Sequence, residues 1–112
     1  PGEFTMEAKA DGDGVVLAGE KTLVMDAAGA DFFLVATSDG RRHLVEREAD
    51  GLTVTAETGI DPTRRFYSVR FDGVRVAPAD TLPGAGPDTF PVFHRVCVAL
   101  AAESTGIAQR TL

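Results

Sequence analysis

Four Asp-Gly marks constrain how this chain can fold: "DGDG" at 11–14 and "DG" at 39–40, 50–51 and 72–73. Asp-Gly supplies the positive φ that tight hairpin turns require. Each mark lies between runs that are apolar or that alternate. Turn signals repeated in this way predict an antiparallel β domain.

The runs between the marks are short. "TMEAKA" alternates, and "VVLAG" and "EKTLVM" follow, joined at Gly19. "DFFLVATS" is the most apolar run, which predicts burial on both faces. "RRHLVERE" precedes the next turn. "LTVTAE" places Leu52, Val54 and Ala56 on one face. In "RRFYSVRF", Phe66, Ser68 and Arg70 oppose Tyr67, Val69 and Phe71, and the pattern leaves open which set faces inward. "VRV" closes the series.

Composition shifts at "APADTLPGAGPD", 77–88, whose prolines and glycines predict a linker without regular structure. Residues 89–112 predict a helix, with Asp88 or Thr89 as cap and Pro91 in the first turn. Its apolar residues, among them Val92, Phe93, Val96, Val98, Leu100 and Ile107, cover most of the circumference. A helix apolar on most sides expects neighbours on most sides. The β domain can cover only one, so a longer chain or another subunit is expected to supply the rest.

Length and charge narrow the function. The 112 residues suffice for one domain, and 44% hydrophobic with 25% charged residues describes a globular chain. A net charge of -6 and two short basic words, "GRRH" and "TRR", give no basic face for nucleic acid. The longest apolar run, "VCVALAA", falls far short of the roughly 20 residues a membrane span needs. Cys97 is the only cysteine, which excludes an internal disulfide and a cysteine metal cluster. With no signal sequence visible, a reducing, cytoplasmic setting is expected. His43 and His94 lack metal-ligand spacing, so no metal is expected. "PGEF", 1–4, has the look of an expression scar, and both ends look cut, as in a piece of a longer protein.

The order of words carries a resemblance. "DGDGVVLAGEKTLV", "AGADFFLVAT", "LVEREADGLTV", "FDGVRVAPADTL" and "LAAESTGIAQRTL" follow one another as in an acyl-CoA dehydrogenase. The "D-x-T-R-R" at 61–65 resembles a variant seen in actinobacterial members. The resemblance covers about Thr5 to Leu112. It implies a mainly-β fold: an antiparallel β-barrel of seven to eight short strands over 5–76, the middle domain, then the linker and the first helix of a C-terminal helical domain over 89–112. It also implies FAD, an acyl-CoA substrate, an electron-transfer flavoprotein as acceptor, and a homo- or hetero-oligomer. The reaction it implies is α,β-dehydrogenation of the thioester, with a hydride passing to the flavin.

In that family a W-I-T-N-like word runs along the flavin. Residue by residue it falls on Leu23, Val24, Met25 and Asp26, the expected cofactor contacts. Leu23 stands where an aromatic is usual and Met25 where a threonine or serine is usual. A thioether cannot donate a hydrogen bond. Asp26 replaces an amide. Phe93, Arg95 and Val96 are the expected substrate contacts on the helix. Val96 occupies the position where some members carry the catalytic glutamate, so no catalytic residue is expected in this chain. In most other members the base lies further along the C-terminal domain, beyond Leu112.

Other residues have plainer readings. Glu103 is expected as a solvated or interface glutamate, Cys97 as a buried inert thiol, and His43 as a surface residue. His94 reads as an ordinary early-helix side chain. The altered flavin word and Val96 motivate an alternative, a non-catalytic partner subunit of a heteromeric dehydrogenase. A stand-alone β-barrel interaction module is a third reading, opposed by the cut ends and the all-round apolar helix.

Overall fold

The computed structural model describes residues 6–61, 63–82 and 90–111, with residues 90–93 entering only as helix backbone. Seven strands are present among them: β1 (Glu7–Asp11), β2 (Gly14–Met25), β3 (Phe32–Ala36), β4 (Arg42–Glu46), β5 (Leu52–Glu57), β6 (Phe66–Val76) and β7 (Thr81–Leu82). One helix, α1 (Phe90–Thr111), follows. Short 3-10 turns occupy Ala27–Gly29 and Pro78–Asp80.

Every strand pairing is antiparallel, which meets the mainly-β expectation. The strands form a four-stranded sheet, ordered β1-β2-β6-β5, and a three-stranded sheet, ordered β3-β4-β7. The sheets do not close into a barrel. Among the described residues no ladder joins the outer strands of one sheet to those of the other.

The Asp-Gly marks do different things. The first closes the β1–β2 hairpin, with Asp11 opposite Gly14. The second lies in the turn between β3 and β4. The third, at Gly51 with φ 85, carries the chain from one sheet to the other. There the Gly51 carbonyl accepts the Asp72 N–H at 2.9 Å. A Cβ on Gly51 would lie 2.4 Å from the Asp72 carbonyl oxygen, so no side chain fits.

The fourth mark is no hairpin turn. Asp72 and Gly73 lie inside β6, where the register to β2 shifts from Ala18–Asp72 to Leu17–Val74. Gly73, at φ 74, is the extra residue of a β-bulge. The bulge answers the open question of facing. Before it, Tyr67, Val69 and Phe71 point inward, and Val69 and Phe71 are buried. After it, the buried residues are Val74 and Val76, of opposite parity. Were Gly73 an ordinary paired residue rather than a bulge, strand alternation would turn that second pair outward.

The core is Met6, Val15, Leu17, Ala27, Val35, Val45 and the four β6 residues. β6 supplies the largest share, and burying each large apolar side chain contributes roughly 1.5–3 kcal/mol. β3 corrects one expectation. Val35 is buried, but Phe32 and Leu34 are exposed, because the three-stranded sheet is covered on one face only. The linker also starts later than its composition suggests. Pro78 opens a 3-10 turn and Thr81–Leu82 pairs with β4, while 83–89, like the expected caps and the first residues "PGEF", lies outside the described residues.

α1 stands apart from the sheets. Every described side chain on it, from His94 to Thr111, is exposed. Cys97 is therefore exposed rather than buried, since no sheet surface covers its apolar neighbours. Among the described residues, an ion pair from Arg64 to Glu103 links the β region to α1.

Candidate functional site

The second half of β2 departs from regular pairing. Lys21 lies opposite Val69 and Val24 opposite Tyr67, so three steps on β2 match two on β6. The extra residue bends the strand end out of the ladder. Leu23 takes up the distortion at φ 55, in the left-handed region. A bulky residue is an outlier there, at about 1–2 kcal/mol. Its side chain is 66% exposed, so burial does not offset that cost. Backbone strain of this kind collects where a chain meets a ligand or partner.

Val24 packs against the core and Met25 points out, 56% exposed. Asp26 ends the strand at φ 52, a conformation aspartate tolerates better than most residues. Its N–H donates to the Arg65 carbonyl at 3.0 Å, and its carboxylate oxygen Oδ1 lies 3.3 Å from Arg65 Nε. The negative charge at this corner is therefore matched by a guanidinium. Ala27, the next residue, is buried and anchors the turn.

Beside this strand end runs an open groove of about 500 Å³. Its lining includes Lys21, Thr22, Val24, Met25, Phe32 and Leu34. That volume lies within the range of small-molecule clefts, roughly 300–1,000 Å³. Apolar side chains dominate it, the Thr22 hydroxyl is available to a ligand, and burial lowers the Lys21 ammonium below its usual pKa. Lys21 and Thr22 were missed in the sequence, because the bulge breaks the alternation from which facing is read.

On the far side, Arg64 connects three elements. Its Nη1 lies 3.8 Å from Met25 Sδ, its Nε 3.4 Å from Asp61 Oδ2, and its Nη2 donates to Glu103 Oε1. The bond to Glu103 and its charge raise the Arg64 pKa above its usual value. Glu103 is thus an ion-pair partner at the junction of strand and helix, as the interface reading expected. The structure brings Met25 and Glu103 to one arginine. It does not join Leu23–Asp26 to Arg95 and Val96 by any hydrogen bond or ion pair among the described residues. Arg95 and Val96 are exposed on α1, with Arg95 about 12 Å along the helix from Glu103. The Phe93 side chain lies outside the described residues.

Leu23 and Met25 leave exposed apolar surface on the outer face of this strand. The side chains lining the groove that can donate are Lys21 and Thr22, and Met25 cannot. Among the described residues, no three His, Cys, Asp or Glu side chains gather as a metal site. No described helix is long and apolar enough to cross a membrane.

The β region is thus two antiparallel sheets with a bulged strand that opens on an apolar groove. Solved structures that share this fold include acyl-CoA dehydrogenases. No family model and no curated protein sequence matches the chain. The chain is similar to a glutaryl-CoA dehydrogenase from Mycobacterium smegmatis in complex with FADH2. The identity is 25% over 73% of this chain and 22% of that one, with a TM-score of 0.63. It is similar to an acyl-CoA dehydrogenase from Slackia heliotrinireducens, at 29% identity over 75% of this chain and 24% of that one, with a TM-score of 0.63. A prolyl acyl carrier protein oxidase, AnaB, shares the fold with a TM-score of 0.68 at 21% identity, over 81% of this chain and 26% of that one. The chain spans about a quarter of the length of these proteins. Its likeness to acyl-CoA dehydrogenases therefore holds in fold as well as in the order of its sequence words.

Proposed function

We propose that the chain is the middle β part, with the first helix of the following helical part, of an FAD-dependent acyl-CoA dehydrogenase. One observation carries this reading: Leu23 holds a strained, left-handed backbone and an exposed side chain at the position that meets the flavin in the resembling family. The likeness to an enzyme described in complex with FADH2 supports it.

When bound, FAD would supply the electron sink for a hydride from an acyl-CoA thioester. The chain's own residues do the positioning. Leu23 and Met25 pack on a ring face and exclude water from it. The Thr22 hydroxyl offers a hydrogen bond within the groove. Arg65 compensates Asp26, so this carboxylate does not place an unmatched negative charge beside the cofactor. Phe93, Arg95 and Val96 are read as the helix contacts to the substrate. No residue of these 112 is assigned as the base, since valine at 96 does no acid–base chemistry. The same reading makes an electron-transfer flavoprotein the acceptor, in a cytoplasmic homo- or hetero-oligomer.

Alone, the 112 residues should bind FAD weakly or not at all, because most of the cofactor's partners lie elsewhere. Tight, stoichiometric binding in a fluorescence titration would contradict this. In the longer protein, acyl-CoA should bleach the flavin absorbance. A second reading, a non-catalytic partner subunit, is favoured by Met25 and Asp26, which replace hydrogen-bond donors. It predicts a colourless full-length protein that gains flavin only with a co-expressed partner. A yellow protein that acyl-CoA bleaches without a partner excludes it.

A further inference from the structure

His43 was expected at the surface, yet its side chain is fully buried. It sits on β4, opposite Val35 of β3 on one side and Thr81 of β7 on the other. Nε2 lies 3.2 Å from Thr37 Oγ1 and Nδ1 lies 3.1 Å from Thr81 Oγ1. The ring thus joins the β3–β4 turn to the short strand β7.

Proton counting assigns the tautomer. The Thr37 hydroxyl donates to Asp39 Oδ1 at 2.6 Å. That bond is the main cause that holds the Asp39 carboxyl down at about 2, with further bonds from Arg41, so the carboxylate only accepts. Thr37 has one proton and has spent it, so its oxygen accepts from His43 Nε2–H. A neutral imidazole carries one N–H, so Nδ1 accepts from the Thr81 hydroxyl. The chain of bonds runs Thr81 to His43 to Thr37 to Asp39, each donor used once.

Protonation at Nδ1 breaks this order. Two donors would then face each other across 3.1 Å unless the Thr81 hydroxyl turns away. Its alternative acceptor, the Ala77 carbonyl oxygen, is 3.5 Å distant, at the limit of a hydrogen bond. The charged groups acting on the ring are Arg41, which opposes a second proton, and Asp39, which favours it. Arg42, next to it on β4, points to the opposite face by strand alternation. β3 presents Val35, β7 presents Thr81, and β6 brings Val69, Phe71, Val74 and Val76 to the core, none of them titratable. Asp80, beside Thr81, is exposed.

We propose that neutral His43 clamps β7 and the Pro78–Asp80 turn to β4 and the β3–β4 turn, and that its protonation releases β7 and the Pro78–Asp80 turn from them. β7 is two residues long and, among the described residues, pairs with β4 alone, so Thr81 carries much of its attachment. Burial, the larger cause, and Arg41 lower the His43 pKa from its usual 6.5. The unfolded or released state therefore binds the proton more readily. The clamp is complete above the unfolded value, weakens as pH falls through it, and is lost by the folded value. The inference does not depend on the flavin reading.

The test is nitrogen-15 NMR of His43 together with amide hydrogen exchange of the 112-residue chain, from about pH 7.5 to about pH 5, where an unperturbed imidazole changes charge. The expected result is an Nε2–H tautomer with a pKa below 6.5, and protection factors at Asp80 and Thr81 that fall by up to about tenfold per pH unit between the unfolded and the folded value. Those amides donate to the Ala77 and Pro78 carbonyls, so they report on this turn. H43Q keeps a donor and an acceptor without titrating, and should remove the pH step. An Nδ1–H tautomer, a pKa at or above 6.5, or protection at 80–81 that stays flat while His43 titrates would overturn the proposal. The first two readouts need no variant, so a misfolded H43Q leaves the test intact.

Discussion

Leu23 pairs a left-handed backbone with an exposed side chain, a combination that little in the surrounding packing requires. Glycine would relieve the φ penalty and would forfeit little buried surface. L23G should therefore stabilise the chain by up to about 1 kcal/mol in urea unfolding, because the left-handed cost exceeds the added entropy of the unfolded glycine. A destabilised variant would show that the backbone there is not strained. In the longer protein the same change should weaken flavin retention, since the proposed ring contact is gone. His43 operates at the same scale through its protonation state, and its pH step is read at Asp80 and Thr81 rather than at the groove.

At the scale of elements, one arginine ties β2, the 61–65 loop and α1 together. R64A should leave the unfolding midpoint of the β region nearly unchanged, because exposed ion pairs contribute little. It should instead broaden the distance between spin labels placed on β5 and on α1. An unchanged distance distribution would mean that other contacts orient the helix. Much at this scale was legible in the sequence. "LTVTAE" became β5 at its full length, because clean alternation next to a turn leaves one reading. The join at Gly19 held, giving one long β2. Asp72-Gly73 misled because a hairpin turn and a bulge ask for the same left-handed glycine, and only the partner strand distinguishes them. The exposure of Cys97 and the burial of His43 were hidden for a related reason. Each depends on which element lies opposite, and a local pattern carries no record of that. Of the residues that line the groove, the order of words had pointed to Val24 and Met25, while Lys21 and Thr22 emerged only from the shifted register.

The whole molecule is drawn out. Its radius of gyration is 16.2 Å, against roughly 13 Å for a compact chain of this length. The helix accounts for the excess, with Val96, Val98, Leu100 and Ile107 all uncovered. Exposed apolar surface on this scale promotes association. The 112-residue chain should therefore self-associate through α1 in sedimentation velocity, and V98E should shift it toward monomer. A wild-type chain that stays monomeric at high concentration would contradict this. The bulge at Gly73 carries a consequence of another kind, for anyone altering the length of β6. Deleting that single residue would leave Val74 directly after Asp72 in plain alternation, so Val74 and Val76 would stay inside and only the local bend would be lost. Removing Asp72 together with Gly73 would instead send Val74 and Val76 to water and Arg75 to the interior, so at this point β6 can lose one residue but not two.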